Sequence, residues 1–225
     1  IQLGAIMAVV VLYFHKLNPF SPKKTKKQKL LTWQMWIKVA IASVPAAIIG
    51  LLFNDILDKI FYKPFPVAVM LIVYGVLFIV IENRNAGRRP SVNKIADLSM
   101  SMLLWIGFFQ MLALIPGTSR SGATIVGALI IGVSREVAAE FTFFLTIPVM
   151  FGASLLKLIK FGFAFTAGEF GYLMLGCVVS FAVSIFAIKF LMSYIKKNDF
   201  KVFGYYRIVL GGLIVVVSLV QMVLA

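Results

Sequence analysis

The sequence predicts an all-α integral membrane protein with about six transmembrane helices and one re-entrant helical hairpin. Of the 225 residues, 61% are hydrophobic and the mean hydropathy is +1.00, whereas soluble domains contain roughly 45–50% apolar residues. Only 13% of the residues are charged, and they separate apolar runs of about 17 to 25 residues, the length of a helix that crosses roughly 30 Å of hydrocarbon. One run contains a turn rich in proline, glycine and hydroxyl residues. These observations exclude a soluble fold, a disordered tail and a secreted disulfide scaffold.

The positive charge of the chain lies between the apolar runs. The formal net charge is +14, and lysine and arginine in such loops mark the cytoplasmic side of a membrane protein. This distribution argues against a nucleic-acid partner and predicts the lipid bilayer as the surroundings. The strongest orientation signal is a segment with six lysines and no acid, which we expect to be cytoplasmic: Lys16, Lys23, Lys24, Lys26, Lys27 and Lys29.

Three predicted spans precede the polar turn. They run from Ile1 to about Phe14, from about Trp33 to Phe53, and from Phe65 to about Ile81. The connection after the second span balances acids against lysines and is predicted to be external; its charged residues are Asp55, Asp58, Lys59 and Lys63. A second basic loop follows the third span and is predicted to be cytoplasmic; it contains Arg84, Arg88, Arg89 and Lys94.

The apolar stretch from about Leu98 to Ile131 is interrupted by the segment Ile115-Pro116-Gly117-Thr118-Ser119-Arg120-Ser121-Gly122. Proline lacks an amide donor and glycine readily adopts positive φ, so a continuous helix through this segment is disfavoured. We therefore predict two half-length helices joined by a polar turn, which is a re-entrant hairpin. Irregular backbone at membrane depth is tolerated only beside protein or a water-filled cavity, so the turn should face the protein interior.

Three further spans follow the hairpin. They run from about Ala138 to Leu158, from Tyr172 to Tyr194, and from Tyr205 to Leu224. The connection between the last two spans is predicted to be cytoplasmic, because Asp199 is outnumbered there by Lys196, Lys197, Lys201 and Arg207.

The spans form a single predicted membrane domain, residues 1–225, in which the pattern of the first half returns in the second. Corresponding spans lie about 140 residues apart and cross in opposite directions by the charge rule, which is typical of inverted-topology repeats with a midplane site. We assign one repeat half to residues 1–82 and the other to residues 98–225. Because the second half opens with a hairpin, we expect a matching hairpin upstream of Ile1, so the first hairpin is missing from this sequence.

Arg120 is the cation that this topology places in the middle of an apolar segment, where insertion of arginine costs about 2.5 to 3.5 kcal/mol. A helix that starts after the turn presents free amides and the positive end of its dipole to an anion. The guanidinium adds a planar fork of donors suited to phosphate oxygens. We predict a phosphate cradle, residues 117–124, with Arg120 and Ser119 as catalytic residues. The predicted phosphate-binding residues are Gly117, Thr118, Ser121, Gly122 and Thr124.

A structural role for Arg120 is the alternative. Its guanidinium would then pair with a carboxylate or with carbonyls left open by the helix break. Glu140, an acid near the start of the fourth span, is the candidate partner, and it either orients Arg120 from behind or caps a helix. The sequence contains one histidine and one cysteine, His15 and Cys177, and no Cys/His cluster with metal-ligand spacing, so no metal ligands are predicted.

The run from Pro116 to Thr124, followed by Gly132-Val133-Ser134-Arg135 and Ala139-Glu140-Phe141, closely resembles the second signature of the bacterial undecaprenyl-diphosphate phosphatases, also called bacitracin resistance proteins. The segment Ile1-Gln2-Leu3-Gly4-Ala5-Ile6 is similar to the segment after that family's first signature. The resemblance covers the whole chain. It is specific, because a seven-residue polar turn inside a membrane hairpin rarely arises by chance.

The resemblance implies a hydrolase of the bacterial plasma membrane that removes the terminal phosphate of undecaprenyl diphosphate and so recycles the carrier lipid for peptidoglycan synthesis. It also implies a divalent cation, Mg²⁺ or Ca²⁺, and a first signature with two glutamates and a Ser-Ser-x-Gly-His run. Those residues, and hence the ligands of the cation, are not in this chain. A homodimer is left open.

The competing function is transport or flipping of a lipid phosphate or a small anion, which inverted repeats with broken helices suggest on architecture alone. Release of phosphate by the purified protein would distinguish the hydrolase from the transporter. We also expect the interior glycines to permit close helix packing; these are Gly75, Gly152, Gly176, Gly211 and Gly212.

Overall fold

The computed structural model describes residues 1–161 and 166–224, and for residues 54–59, 160–161, 167 and 222–224 it describes the backbone alone. The helices are α1 (Gln2–Leu12), α2 (Phe14–Leu17), α3 (Lys26–Phe61), α4 (Pro64–Asn85), α5 (Met100–Leu112), α6 (Arg120–Ile130), α7 (Arg135–Phe161), α8 (Ala167–Ile195) and α9 (Lys201–Leu224). A single 3-10 turn, Ile95–Asp97, precedes α5. The described part of the chain contains no strand, so the predicted all-α class is confirmed.

In the part of the chain that the structure describes, five helices are long and apolar enough to cross a membrane: α3, α4, α7, α8 and α9. The segment predicted as the first span is instead α1, whose 11 residues extend about 16 Å, and the helix breaks at Tyr13. The predicted end of the second span at Phe53 matches the candidate membrane span Lys26–Phe53, although α3 continues beyond it to Phe61. The chain is a multi-pass membrane protein in which shorter apolar helices pack among five long ones.

The predicted hairpin is confirmed as α5 and α6, which have 13 and 11 residues and are each too short to span the hydrocarbon. The indole Nε1 of Trp105 on α5 donates to the carbonyl of Gly127 on α6 at 3.1 Å. Both ends of the hairpin emerge on one side, because the amide of Ser134 donates to the carbonyl of Val92 at 2.9 Å. The hairpin is therefore re-entrant.

The turn of the hairpin is pressed against α4. Gly117 has φ of +89°, and a Cβ there would lie 2.5 Å from the carbonyl oxygen of Val67. Only glycine fits that conformation and that space. From this turn α6 runs through the centre of the molecule, and all its residues from Gly122 to Leu129 are buried. The site at its amino terminus is thus enclosed by protein on several sides.

Helices α4 and α9 pack backbone to backbone through glycines. A Cβ on Gly75 would lie 2.8 Å from the carbonyl oxygen of Gly204, and one on Gly211 would lie 2.9 Å from the carbonyl oxygen of Ala68. Small residues allow such close approach in membranes. The prediction for Gly75 and Gly211 is confirmed, whereas Gly152 and Gly212 have open space beside them.

The end of α4 is tied to its neighbours by the buried carboxylate of Glu82, which is 2% exposed. The guanidinium Nε of Arg135 on α7 donates to its two oxygens at 2.9 and 3.0 Å, and the amide of Phe200 donates to Oε1 at 3.1 Å. This ion pair connects α4, α7 and the start of α9.

The helix contacts have the pattern expected of a two-fold repeat. Helix α1 packs against α8, and α3 packs against α7. In the predicted repeat α1 corresponds to α7 and α3 corresponds to α8, so the two contacts are equivalent. The assignment of the halves to residues 1–82 and 98–225 stays a prediction.

Candidate phosphate-binding site

The amino terminus of α6 is capped by Ser119. Its Oγ accepts a hydrogen bond from the amide of Gly122 at 3.1 Å and lies 3.1 Å from the hydroxyl of Ser121. Among the described residues, the amides of Arg120 and Ser121 have no hydrogen-bond acceptor. Two free amides and the positive end of the helix dipole therefore face the turn, which suits an anion.

Arg120 begins α6 and is partly buried. Its Nη1 contacts the thioether sulfur of Met150 on α7, and sulfur of this type is a weak acceptor. No carboxylate of the described residues forms an ion pair with Arg120. The guanidinium is thus placed in the cradle without a compensating negative charge.

Glu140 forms its ion pair with Lys16 and not with Arg120, which corrects the prediction that it orients the guanidinium of Arg120. Its Oε1 accepts from the ammonium of Lys16 at 2.5 Å, beside the basic loops. Met150, which contacts Arg120, lies ten residues further along α7, a rise of about 15 Å. The two groups are therefore close in sequence but far apart along the helix axis.

Thr124 occupies a different place from the one predicted. Its side chain is 1% exposed, and its hydroxyl is within bonding distance of the carbonyls of Arg120 and Ser121, at 3.0 and 3.1 Å. The same oxygen accepts from the hydroxyl of Thr142 on α7 at 3.0 Å. Thr124 therefore supports the first turn of α6 from behind the cradle, and its binding of phosphate stays a prediction.

Two buried polar atoms near the turn lack a partner among the described residues. They are the hydroxyl of Thr118, whose residue is 7% exposed, and the amide nitrogen of Gln110 on α5, whose residue is 3% exposed. Burial of an unsatisfied polar atom is costly. Thr118 was among the predicted phosphate-binding residues, whereas Gln110 was not.

Arg207 is the main residue that sequence reasoning misplaced. It lies within α9, not in the basic connection, and its Nη2 is 3.5 Å from the position of a Cβ built on Gly122. Its Nη1 is buried and has no hydrogen-bond partner among the described residues. The signal was available: Gly204, Arg207 and Gly211 are spaced to lie on one face of a helix, and that face packs on α4.

The described residues do not fit a divalent cation. They contain no group of three or more His, Cys, Asp or Glu side chains that could hold a metal ion. The cradle itself carries two guanidinium groups, which repel a cation and attract an anion. No step of the chemistry is therefore assigned to a metal here.

The chain is similar along most of its length to known bacterial proteins. A family model described as bacitracin resistance protein BacA matches residues 1–213. A protein of Acetivibrio thermocellus named undecaprenyl-diphosphatase is 62% identical over 215 residues, which cover 96% of this chain and 79% of that protein. Proteins of the same name from Enterococcus faecalis and Desulfitobacterium hafniense are 60% and 59% identical, over 97% and 95% of this chain and 80% and 77% of theirs. The chain belongs to the bacitracin resistance protein BacA family.

Proposed function

We propose that this protein hydrolyses undecaprenyl diphosphate and that the terminal phosphate binds at the amino terminus of α6. The names of the relatives, at 59% to 62% identity, support hydrolysis of the diphosphate over transport of a lipid phosphate or anion. One observation carries the location of the site. Arg120, without an ion-pair partner among the described residues, lies at a partly buried helix terminus that also presents two free amides.

In the proposed reaction, the oxygen of a water molecule bonds to the terminal phosphorus while the bond from that phosphorus to the bridging oxygen breaks. The products are inorganic phosphate and undecaprenyl phosphate, and the protons of the water pass to phosphate oxygens and solvent. Negative charge develops on the equatorial and bridging oxygens. Donors held in place before the reaction stabilise this charge without rearrangement.

Arg120 and the amides of Arg120 and Ser121 are the proposed donors to the terminal phosphate. Ser119 has two roles: its Oγ accepts from Gly122 and so holds the helix terminus rigid, and its hydroxyl proton is available to a phosphate oxygen or to Ser121. Gly117 keeps the turn against α4, which fixes the position of the whole cradle.

The five apolar helices and the family place the protein in the bacterial cell membrane. The lipid tail of the substrate would lie along the exposed apolar faces of the long helices. A homodimer stays a prediction, which light scattering of the purified protein in detergent would test.

The test is phosphate release from undecaprenyl diphosphate by the purified full-length protein in detergent, which includes the hairpin expected upstream of Ile1. Arg120→Lys should lower kcat about 10²- to 10³-fold, because a point charge on a flexible stem does not replace a planar fork of donors. Arg89→Lys is the matched control, since Arg89 is exposed in the loop after α4; its turnover should equal that of the wild type.

Folding of each variant is checked by its elution volume and melting temperature in detergent. A folded Arg120→Lys protein with near-normal turnover would show that Arg120 has a structural role and would refute the cradle. Wild-type protein that binds the substrate but releases no phosphate would instead favour the transporter.

A further inference from the structure

A second cavity lies at the end of the molecule where α2, the start of α3 and the first turns of α7 meet. Its volume is about 630 Å³. We call it the lysine pocket, because the described residues that line it include five lysines and a single carboxylate: Lys16, Lys23, Lys24, Lys38, Lys94 and Glu140. The pocket is separate from the cradle, since Glu140 lies about 15 Å along α7 from Met150, which contacts Arg120.

Three of the five lysines hold the walls of the pocket. The ammonium of Lys38 donates to three carbonyls of residues 95–98, at 2.5 to 3.1 Å, and so ties α3 to the loop before α5. Lys24 donates to a hydroxyl on α3 at 2.7 Å, and Lys16 forms an ion pair with Glu140. These contacts fix the shape of the pocket around the other two lysines.

Lys23 and Lys94 reach the pocket from two different loops, one after α2 and one before the 3-10 turn. Neither forms an ion pair with a carboxylate of the described residues. The acid of the pocket, Glu140, is already engaged by Lys16. Two ammonium groups at one cavity repel each other, and an anion between them would replace this repulsion by attraction.

The lysine pocket lies at the depth of lipid headgroups. Phe20 and Trp33 stand beside it in edge-to-face contact, with ring centroids 5.8 Å apart, and are 74% and 48% exposed. Exposed aromatic rings at the ends of membrane spans mark the headgroup level, and the candidate span of α3 begins at Lys26. Apolar side chains form another part of the wall: Leu31, Met35 and Phe144. The pocket thus combines uncompensated positive charge, an interfacial position and an apolar wall.

We propose that the lysine pocket binds the headgroup of an anionic glycerophospholipid, with the phosphate diester between Lys23 and Lys94. A phosphate diester has one negative charge and two unesterified oxygens, so each ammonium can donate to one oxygen. Basic pockets beside membrane helices attract such lipids. A free phosphate ion would use the two lysines but not the apolar wall, so the observations favour the lipid. This site does not depend on the proposed hydrolysis.

Native mass spectrometry of the full-length protein in detergent tests the site. The probe is dioleoyl phosphatidylglycerol, and dioleoyl phosphatidylcholine, which has the same tails and no net charge, is the lipid control. Combining Lys23→Gln with Lys94→Gln should raise the Kd of the first bound phosphatidylglycerol about 10- to 30-fold, as expected for two lysines near an anionic headgroup. Binding of phosphatidylcholine should not change. Normal binding of phosphatidylglycerol by the folded double variant would overturn the proposal.

Combining Lys26→Gln with Lys27→Gln gives the matched control, because both lysines are exposed in the same basic segment but do not line the pocket. This control should bind phosphatidylglycerol as the wild type does. Equal weakening in the control would show a general attraction to the basic segment and would overturn the site. Arg120→Gln should also bind the lipid normally, since a loss there would place the headgroup in the cradle instead.

Inorganic phosphate distinguishes the lipid from a free anion. It should not displace phosphatidylglycerol from the wild-type protein, because it gains nothing from the apolar wall. Displacement by inorganic phosphate would identify a site for the free ion and would overturn the lipid assignment.

A second measurement needs no variant and no turnover. Reductive methylation with formaldehyde modifies accessible lysines of the wild-type protein, and mass spectrometry of peptides locates the modification. Phosphatidylglycerol should protect Lys23 and Lys94, whereas Lys26 and Lys27 should react as before. Equal protection of all four lysines, or of none, would overturn the proposal.

Discussion

The hydroxyl of Thr142 donates a hydrogen bond of 3.0 Å to the hydroxyl of Thr124, and both side chains are buried between α7 and α6. Thr124 in turn donates to the first-turn carbonyls of Arg120 and Ser121. The pair therefore fixes the orientation of the helix terminus from which the free amides project. The pair positions the cradle, so a substitution of Thr124 should disturb the cradle through the helix terminus.

Thr124→Val should destabilise the protein by about 1 to 3 kcal/mol, because it keeps the shape of the side chain but leaves the buried Thr142 donor unsatisfied. The turnover should fall, while inhibition by inorganic phosphate should change little. Thr124→Ser keeps the hydroxyl and is the matched control. If Thr124→Val weakened phosphate inhibition as strongly as Arg120→Gln does, Thr124 would be a direct ligand.

Gly117→Ala should unfold or inactivate the protein, because its φ is +89° and the added Cβ would lie 2.5 Å from the carbonyl oxygen of Val67. Gly87→Ala is a matched control with φ of +75° and no atom within 4 Å. The control should lower the free energy of unfolding only by the cost of placing alanine at positive φ, about 1 to 2 kcal/mol. Melting temperatures in detergent would measure the stability of both variants. Equal losses of stability would show that the contact of Gly117 with α4 is unimportant.

Glu82→Gln should lower stability by about 2 to 3 kcal/mol, because it breaks a pair whose carboxylate is buried although Arg135 is partly exposed. The amide of Phe200 would keep an acceptor. Asp199→Asn weakens the partly exposed pair with Lys201, whose charged atoms are 3.5 Å apart, and should cost at most about 1 kcal/mol. A loss for Glu82→Gln no larger than for Asp199→Asn would contradict the structural role of Glu82.

Gly75→Ala should separate α4 from α9 and thereby move Arg207 away from the cradle. The added Cβ would lie 2.8 Å from the carbonyl oxygen of Gly204, so the helices must shift. We expect lower turnover. Gly212→Ala is the control, because nothing lies within 4 Å of its added Cβ; it should be neutral. Normal turnover in a folded Gly75→Ala protein would show that the α4–α9 contact does not matter for the geometry of the cradle.

Much of the fold could be predicted because its signals are local. A long apolar run specifies a membrane helix whatever its neighbours are, and the Pro116-Gly117 pair interrupts a helix by its own backbone chemistry. The hairpin and its capped second helix, which begins at Arg120, follow from these properties. The length of α3 could not be predicted, because charged residues after Phe53 resemble a loop yet the backbone there stays helical.

Composition and consecutive residues encode the class of protein, the hairpin and the cluster of donors around Arg120. Which side chains of different helices meet depends on how the helices pack. Glu140 and Thr124 were predicted near the phosphate, but the rise of α7 carries Glu140 to Lys16 and the packing of α6 turns Thr124 toward Thr142. Arg207 was predicted in a loop, and only the contact of α9 with α4 brings it to Gly122. Hydropathy shows where a helix lies along the chain. Which face of the helix points to the site depends on the helices that pack against it.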